Sequence, residues 1–552
     1  MNRLGQRLLK QGLSILQKGR SNTNQLSKFN TKFVFSLFKK NVFSFSYQNE
    51  QNNHEILIEN NLQQKNSKKR QEKSQPKEIV INSNQDDDII DSSVYDKEFE
   101  KANDVFVEDD EIVENITHTL DENDKEHPYI FQTKYGRVKY VQTPLSLKLQ
   151  SQITKAYYLH NTMSSNFIRK IMKEDQTKSL LIFSLNTNYN NANQTFSAVK
   201  KMVEEFYYGT ENRPKNPFRK CTSPEEIYNL SRRIAIEQKN FLSRICILVS
   251  HNGQLRIKGQ NVPSSQLLSQ HLGKKQEGAI EKHDFLIPFQ HWQGIHSAEQ
   301  YESNGIPIPQ LNGKKVYPVY GVWPPTQQHY LKLLAQYLQD SKNYLRGVEK
   351  VCDLGCGSGI LSFIIAEAAP EVKITSLDKY EAAVRCTGMN AAILSLSARI
   401  RNEIFDITEK QKNNSLVANL EKLKLDTSYD LIVANPPWIA ASPLTNDSGL
   451  EAANYDQKEE MLKSSFKFAQ ECLNKENKKS RKGRFLLIYS DLSENLGIQA
   501  KDRIQQLCEH HQMIISDKKS VKLAATDLYR KNDPNYGPKS ISSVILYEIT
   551  RV

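Results

Sequence analysis

No Asp or Glu occurs in the first 49 residues, although that stretch holds nine Lys or Arg. It therefore carries nine of the net +12 charges and leaves +3 for the rest of the chain. Bulk charge consequently says little about the partners of the main body. Cysteine is also scarce: seven among 552 residues, with no Cys-x-x-Cys pair. That excludes a disulfide framework and a zinc ribbon, and it points to reduced thiols. Cys352 and Cys356 lie close together, but inside a glycine-rich loop, and no metal is expected there. No apolar run approaches the length of a membrane span.

What is present changes character along the chain. "MNRLGQRLLKQGLSILQKGR" places Leu4, Leu8, Leu9, Leu13 and Leu16 near one helical face, with Arg and Lys between them. Residues 1–49 are expected to be a mitochondrial transit peptide, and the protein is expected in the matrix. Residues 50–126, with runs such as "NQDDDIIDSS" and "VEDDEIVENITHTLDENDKE", hold few large apolar residues and are expected to be a disordered linker. Residues 127–315 read as an accessory domain of mixed or mainly helical type. Within it "SLKLQSQITKAYYLHNTMSSNFIRKIM" and "EEIYNLSRRIAIEQKNFLSRICIL" have helical spacing, and "SLLIFSLN" reads as a strand.

Residues 316–552 alternate strand and helix patterns. "EKVCDLGCGSGILSFIIAEAAP" is a strand, a glycine loop and a helix stopped by Pro370; "ITSLD", "IRNEIFDI", "YDLIVANPPW" and "RFLLIYSDL" supply further strands. The pattern predicts an α/β fold, a Rossmann-like doubly wound sheet with ligands at the strand C-termini.

In "DLGCGSG", Asp353 ends a strand and Gly355, Gly357 and Gly359 follow at alternate positions. Glycines so spaced let the backbone turn sharply and approach a ligand. No Gly-Lys-Ser/Thr follows, so this is not a phosphate-binding Walker loop, and the third glycine comes one residue early for the dinucleotide form. The spacing resembles motif I of class I S-adenosylmethionine-dependent methyltransferases. Asp378, at the end of the next strand, can accept hydrogen bonds from both ribose hydroxyls. The resemblance puts Asp406, after the third strand, beside the adenine ring.

"NPPW", Asn435 to Trp438, resembles the N/D-P-P-Y/F/W motif of methyltransferases that act on planar nitrogen. The lone pair of such a nitrogen is delocalised, so it is a poor nucleophile. The Asn435 side-chain oxygen and the Pro436 carbonyl can each accept an N–H bond and stabilise charge that develops in transfer. Pro436 and Pro437 hold that carbonyl rigidly, and Trp438 can stack on a flat substrate.

The resemblance to small-domain methyltransferases, with N6-adenine- and N5-glutamine-like features, runs over roughly residues 178–552. "YGVWPPTQQHYLKLLAQYL" resembles a segment that lies over the cofactor, which implies that Tyr320, Gly321, Pro325 and Thr326 help close the site. "AANYDQKEEMLKSSF" implies Tyr455 and Asp456 near the substrate pocket. Trp323 and Pro324 depart from the usual Phe and Ser. The expected function is N-methylation of an exocyclic amino group of a nucleobase in organellar RNA or DNA, with nucleic acid as partner. The alternative is N5-methylation of a glutamine in a translation factor, followed by a small-molecule substrate or a non-catalytic assembly role.

Overall fold

The computed structural model describes residues 113–121, 129–141, 147–160, 165–174, 178–208, 217–259, 262–269, 283–340, 344–408, 416–444, 448–475, 482–522 and 533–552. The expected leader and the linker up to residue 112 lie outside the described residues.

The first sheet contains β1 (Val113–Asn115), β2 (Thr117–Leu120), β3 (Tyr129–Thr133), β4 (Gly136–Tyr140), β5 (Lys155–Leu159), β6 (Ser179–Phe183), β7 (Ile245–Val249) and β8 (Asp284–Pro288). Their order is β1-β5-β6-β7-β8-β4-β3-β2. Strands β5, β6 and β7 are parallel neighbours. Their connections hold α1 (Ser165–Glu174), α2 (Tyr189–Tyr208) and α3 (Pro224–Leu242), while α4 (Phe289–Asn304) follows β8. The pleat sends alternate residues to opposite faces. Leu181, Phe183, Ile245 and Ile247 pack with Phe196, Val199 and Phe241 of the helices, and Leu180, Ile182, Cys246 and Leu248 point the other way.

The accessory region is of the mixed type, built on a sheet; two other expectations change. Residues 113–120, expected to be disordered, form two strands, because Val113, Ile116, Thr117 and Thr119 make a short β-forming stretch between charge runs. Ile116 is buried against Phe131 and Ala156. "KAYYL" and "ICILV", both read as helical, are β5 and β7; short apolar runs satisfy either period, and burial in a parallel sheet decides the outcome.

A short hairpin, β9 (Ile306–Pro307) with β10 (Lys315–Val316), and α5 (His329–Asp340) lead to the second sheet. That sheet contains β11 (Lys350–Leu354), β12 (Lys373–Asp378), β13 (Ile400–Ile404), β14 (Leu431–Ala434), β15 (Arg484–Ser490), β16 (Met513–Lys522) and β17 (Ser543–Arg551). The order is β13-β12-β11-β14-β15-β17-β16, with β11 to β15 parallel and β17 antiparallel between β15 and β16. Helices α6 (Ile360–Ala368) and α7 (Glu381–Ile393) connect β11, β12 and β13, α8 (Glu460–Cys472) precedes β15, and α9 (Arg503–His510) precedes β16. This strand order, with its single reversed strand, is that of the class I methyltransferase fold.

The chain winds one way from β11 to β13 and the other way from β14 to β15. The crevice therefore lies between β11 and β14, where winding reverses. Leu354 pairs in register with Ala434, so the loops after the two strands emerge side by side. Asp430 fixes that register, because its Oδ2 accepts the backbone N–H groups of Glu349 and Lys350. All four residues of β14 are fully buried, Leu431 and Val433 in one core cluster and Ile432 and Ala434 in the other. Burial of each large side chain there stabilises the fold by roughly 1.5–3 kcal/mol.

Candidate active site

The glycine loop departs from β11 with positive φ at Gly355 (69°), Gly357 (54°) and Gly359 (84°). A β-carbon at Gly359 would come within 2.5 Å of Phe363 Cζ and 2.9 Å of Thr387 Cγ2, so loop and helix pack there at glycine distance. At Gly357 an added β-carbon would meet nothing within 4 Å, because the loop faces an open cavity.

Asp353 does not line that cavity. It is fully buried behind the loop, where Oδ2 accepts from the backbone N–H (3.2 Å) and hydroxyl (2.6 Å) of Ser362 in the first turn of α6. Oδ1 has no hydrogen-bond partner among the described residues. Burial pushes the carboxyl up to about 6 against the pull of Ser362. The residue expected to contact cofactor thus anchors the loop to the helix.

The cavity, about 370 Å³, runs along the C-terminal ends of β11 to β14. One wall holds Gly355, Gly357 and Ser358; a second holds Asp378 and Tyr380; a third holds Phe405, Asp406 and Ile407. Asp378 Oδ2 accepts the Gly357 N–H at 3.0 Å, and Oδ1 accepts the Tyr380 N–H at 2.9 Å. Its carboxylate is thereby fixed at the rim, and burial raises its pKa above the ordinary value. Asp406 Oδ1 accepts from the backbone and hydroxyl of Thr408.

Asn435, Pro436 and Pro437 also line this cavity. A second hollow, about 150 Å³, lies against the first and is bounded by Trp323, Gln327, Tyr330, Trp438, Ile439 and Asn454 among others. Trp323, Tyr330, Asn435, Pro436 and Ala453 border both spaces. The amide expected to do the chemistry therefore stands where the two meet. The Trp438 indole N–H donates to Asn435 Oδ1 at 3.0 Å. Trp438 itself is half-buried, packs on both cores of the sheet and meets Tyr330 edge to face at 6.4 Å.

The remaining expected residues divide. Tyr455 lines the cavity. Asp456 is at its edge, but its carboxylate accepts the N–H groups of Met461 and Leu462 and so caps α8. Tyr320 is not in either space; its hydroxyl is 3.2 Å from His291 Nε2, and its ring packs on the accessory core. Thr326 is exposed and lines neither space, since the turn after Pro324 directs its N–H to the Pro324 carbonyl at 2.8 Å. Sequence reasoning missed Tyr330, Phe405, Tyr380 and Met461 as lining residues. Phe405 directly precedes Asp406 and Tyr380 comes two residues after Asp378, a signal within reach; Tyr330 carries none beyond a helical pattern. Among the described residues, no group of His, Cys, Asp and Glu could hold a metal, and no helix is long and apolar enough to cross a membrane.

Residues 331–464 match the family model described as Methyltransferase small domain. A tRNA1(Val) (adenine(37)-N6)-methyltransferase of Yersinia pestis (strain Pestoides F) is 30% identical over 107 residues, which are 19% of this chain and 39% of that protein. The protein of the same name from Yersinia enterocolitica serotype O:8 is 31% identical over 107 residues, 19% of this chain and 38% of that protein. The chain thus spans about two fifths of the length of these curated relatives. Among solved structures, a ribosomal protein L11 methylase of Lactobacillus delbrueckii subsp. bulgaricus has 18% identity and a TM-score of 0.26, covering 43% of this chain and 86% of that one.

Proposed function

We propose that this chain, whose residues 331–464 match the methyltransferase small-domain model, is an S-adenosylmethionine-dependent N-methyltransferase. Its proposed target is the exocyclic amino group of a nucleobase, most specifically the N6 of adenine in RNA. The observation that carries the reading is the meeting of two spaces at Asn435 and Pro436.

The larger space fits S-adenosylmethionine. An open glycine backbone at Gly357 admits a close ligand, the fixed Asp378 carboxylate suits a diol, and Phe405 and Ile407 offer apolar faces to a flat ring. When bound, the cofactor supplies an electrophilic methyl group on a sulfonium sulfur.

The chain's own groups do the rest. Asn435 Oδ1 and the Pro436 carbonyl would accept the two N–H bonds of the target amine. As the new N–C bond forms, the nitrogen gains positive charge, which these acceptors stabilise without rearrangement. The amine then loses one proton to solvent, so no strong base is needed before transfer. Asn435 already accepts one bond, from Trp438; an amide oxygen has a second lone pair for the substrate.

The aromatic walls of the smaller hollow favour a flat ring over an extended glutamine side chain. Trp323, Tyr330 and Trp438 all border it, and base–aromatic stacking is worth about 1–3 kcal/mol. A base within a duplex would have to be extruded to reach it. The matched relatives' names, which specify an adenine N6 in a tRNA, support the same class. The basic leader supports an organellar setting.

The test is transfer of labelled methyl groups from S-adenosylmethionine into an organelle extract from cells lacking the protein. Label released by nuclease supports a nucleobase target. Label released only by protease contradicts it and transfers the assignment to a protein amide.

A further inference from the structure

A flap, residues 439–444 and 448–456, lies beside both spaces. Pro443, Ala452 and Tyr455 face the cofactor cavity, Ile439 and Asn454 face the smaller hollow, and Ala453 borders both. The two ends of the flap meet through the backbone, with Asp456 N–H donating to the Ile439 carbonyl at 2.8 Å. Nothing in the catalytic sequence motifs explains what holds Ser442, Glu451 and Tyr455 in place.

Helix α3 of the accessory domain does so from a single face. Tyr228, Arg232 and Lys239 are spaced four and seven residues apart, which brings them to one side of a helix. Arg232 Nη2 donates to the Ser442 carbonyl, next to Pro443. The same guanidinium lies 5.2 Å from the centre of the Tyr455 ring and 5.7 Å from that of Tyr228, to whose hydroxyl Nη1 donates at 3.2 Å. Lys239 Nζ pairs with Glu451 Oε1 at 2.8 Å, both side chains being largely covered. Tyr228 packs with Leu492, Leu496, Ile439 and Ala441. Beside them, Asn535 Nδ2 donates to Ser231 Oγ at 2.8 Å within a buried contact.

One cation thus grips the flap at Ser442 and Tyr455, and a second grips it between them at Glu451. We propose that Arg232 is a positioning residue, through which the accessory domain holds the flap against the cofactor cavity. The accessory domain then sets cofactor affinity as well as contributing any surface for the substrate. Arg232 touches neither space itself and acts through Tyr455 and the backbone at Ser442. The inference rests on the reading of the larger cavity as the cofactor site.

The experiment is calorimetric titration of S-adenosylmethionine into the full chain, with limited proteolysis of the flap read in parallel. Arg232→Ala should weaken binding about tenfold, as expected for loss of a charge-assisted hydrogen bond, and should speed cleavage within residues 439–444 and 448–456. Arg232→Lys should recover part of both. Lys239→Glu should weaken binding similarly, and the exchange Lys239→Glu with Glu451→Lys should restore it, which separates the effect from misfolding. Wild-type affinity and protection in both Arg232→Ala and Lys239→Glu would overturn the proposal. Failure of the wild type to bind S-adenosylmethionine would instead overturn the assignment of the cavity.

Discussion

The indole N–H of Trp438 donates to the side-chain oxygen of Asn435 at 3.0 Å, so the last residue of the tetrapeptide orients the first. A Tyr or Phe at this position has no donor in the same place. The bond fixes the amide with its oxygen toward the indole, and the edge-to-face contact with Tyr330 holds the indole.

Trp438→Phe should keep the apolar wall and lose this orientation. A net hydrogen bond is worth about 1 kcal/mol, so kcat should fall about five- to tenfold while affinity for S-adenosylmethionine stays within twofold. Steady-state kinetics with calorimetry would check it; an unchanged kcat would show that the proline pair alone holds the amide.

Asn435→Ala should reduce transfer by about 2.7–4 kcal/mol of transition-state stabilisation, roughly two to three orders of magnitude. Cofactor binding should remain nearly intact, because the cavity is walled mostly by other residues. A comparable loss of cofactor affinity would remove Asn435 from the role assigned to it.

Asp378→Ala should act in the opposite manner. Its carboxylate fixes the glycine loop through the Gly357 N–H and presents acceptors at the cavity rim. Hydrogen bonds to a charged group are worth about 1.5–3 kcal/mol, so cofactor affinity should fall about 10- to 100-fold. Unchanged calorimetric affinity would refute the ribose assignment.

Asp353 makes a prediction about pH and stability. Burial raises its pKa from the ordinary 3.8 to about 6. The folded state therefore holds the proton more tightly than the unfolded state does. The most favourable contribution is present below about pH 4 and is lost as pH rises through about 6. The whole difference is about 3 kcal/mol at 1.36 kcal/mol per pKa unit. Asp353→Asn removes this titration and retains an acceptor for Ser362. The stability of the variant relative to wild type, measured by denaturant unfolding, should rise from pH 4 to pH 7; a flat difference would contradict the raised pKa.

The second sheet was legible because each strand–loop–helix unit repeats one pattern, and because glycine loops and proline pairs have few structural uses. Asp378, Asp406, Asn435 and Pro436 come together because parallel strands place all their C-terminal ends on one edge, on both sides of the point where winding reverses. Tyr320, Thr326 and Asp353 show the limit of motif spacing. Position near a motif does not fix side-chain direction, which here depends on His291, a turn at Pro324 and a helix terminus at Ser362. Strands β5 and β7 were hidden because short apolar runs carry no distinctive period. The grip of α3 on Ser442 and Glu451 joins positions about 200 residues apart, and local sequence pattern holds no trace of such a pairing.

The most direct test of the central claim is the identity of the methylated atom. RNA labelled by the full chain with S-adenosylmethionine would be digested to nucleosides and resolved by mass spectrometry, with Asn435→Ala in parallel. The account predicts N6-methyladenosine with the wild type and its near absence with the variant. Methylation confined to a ring carbon, a ribose oxygen or a protein side chain, or equal yields from the two proteins, would contradict it.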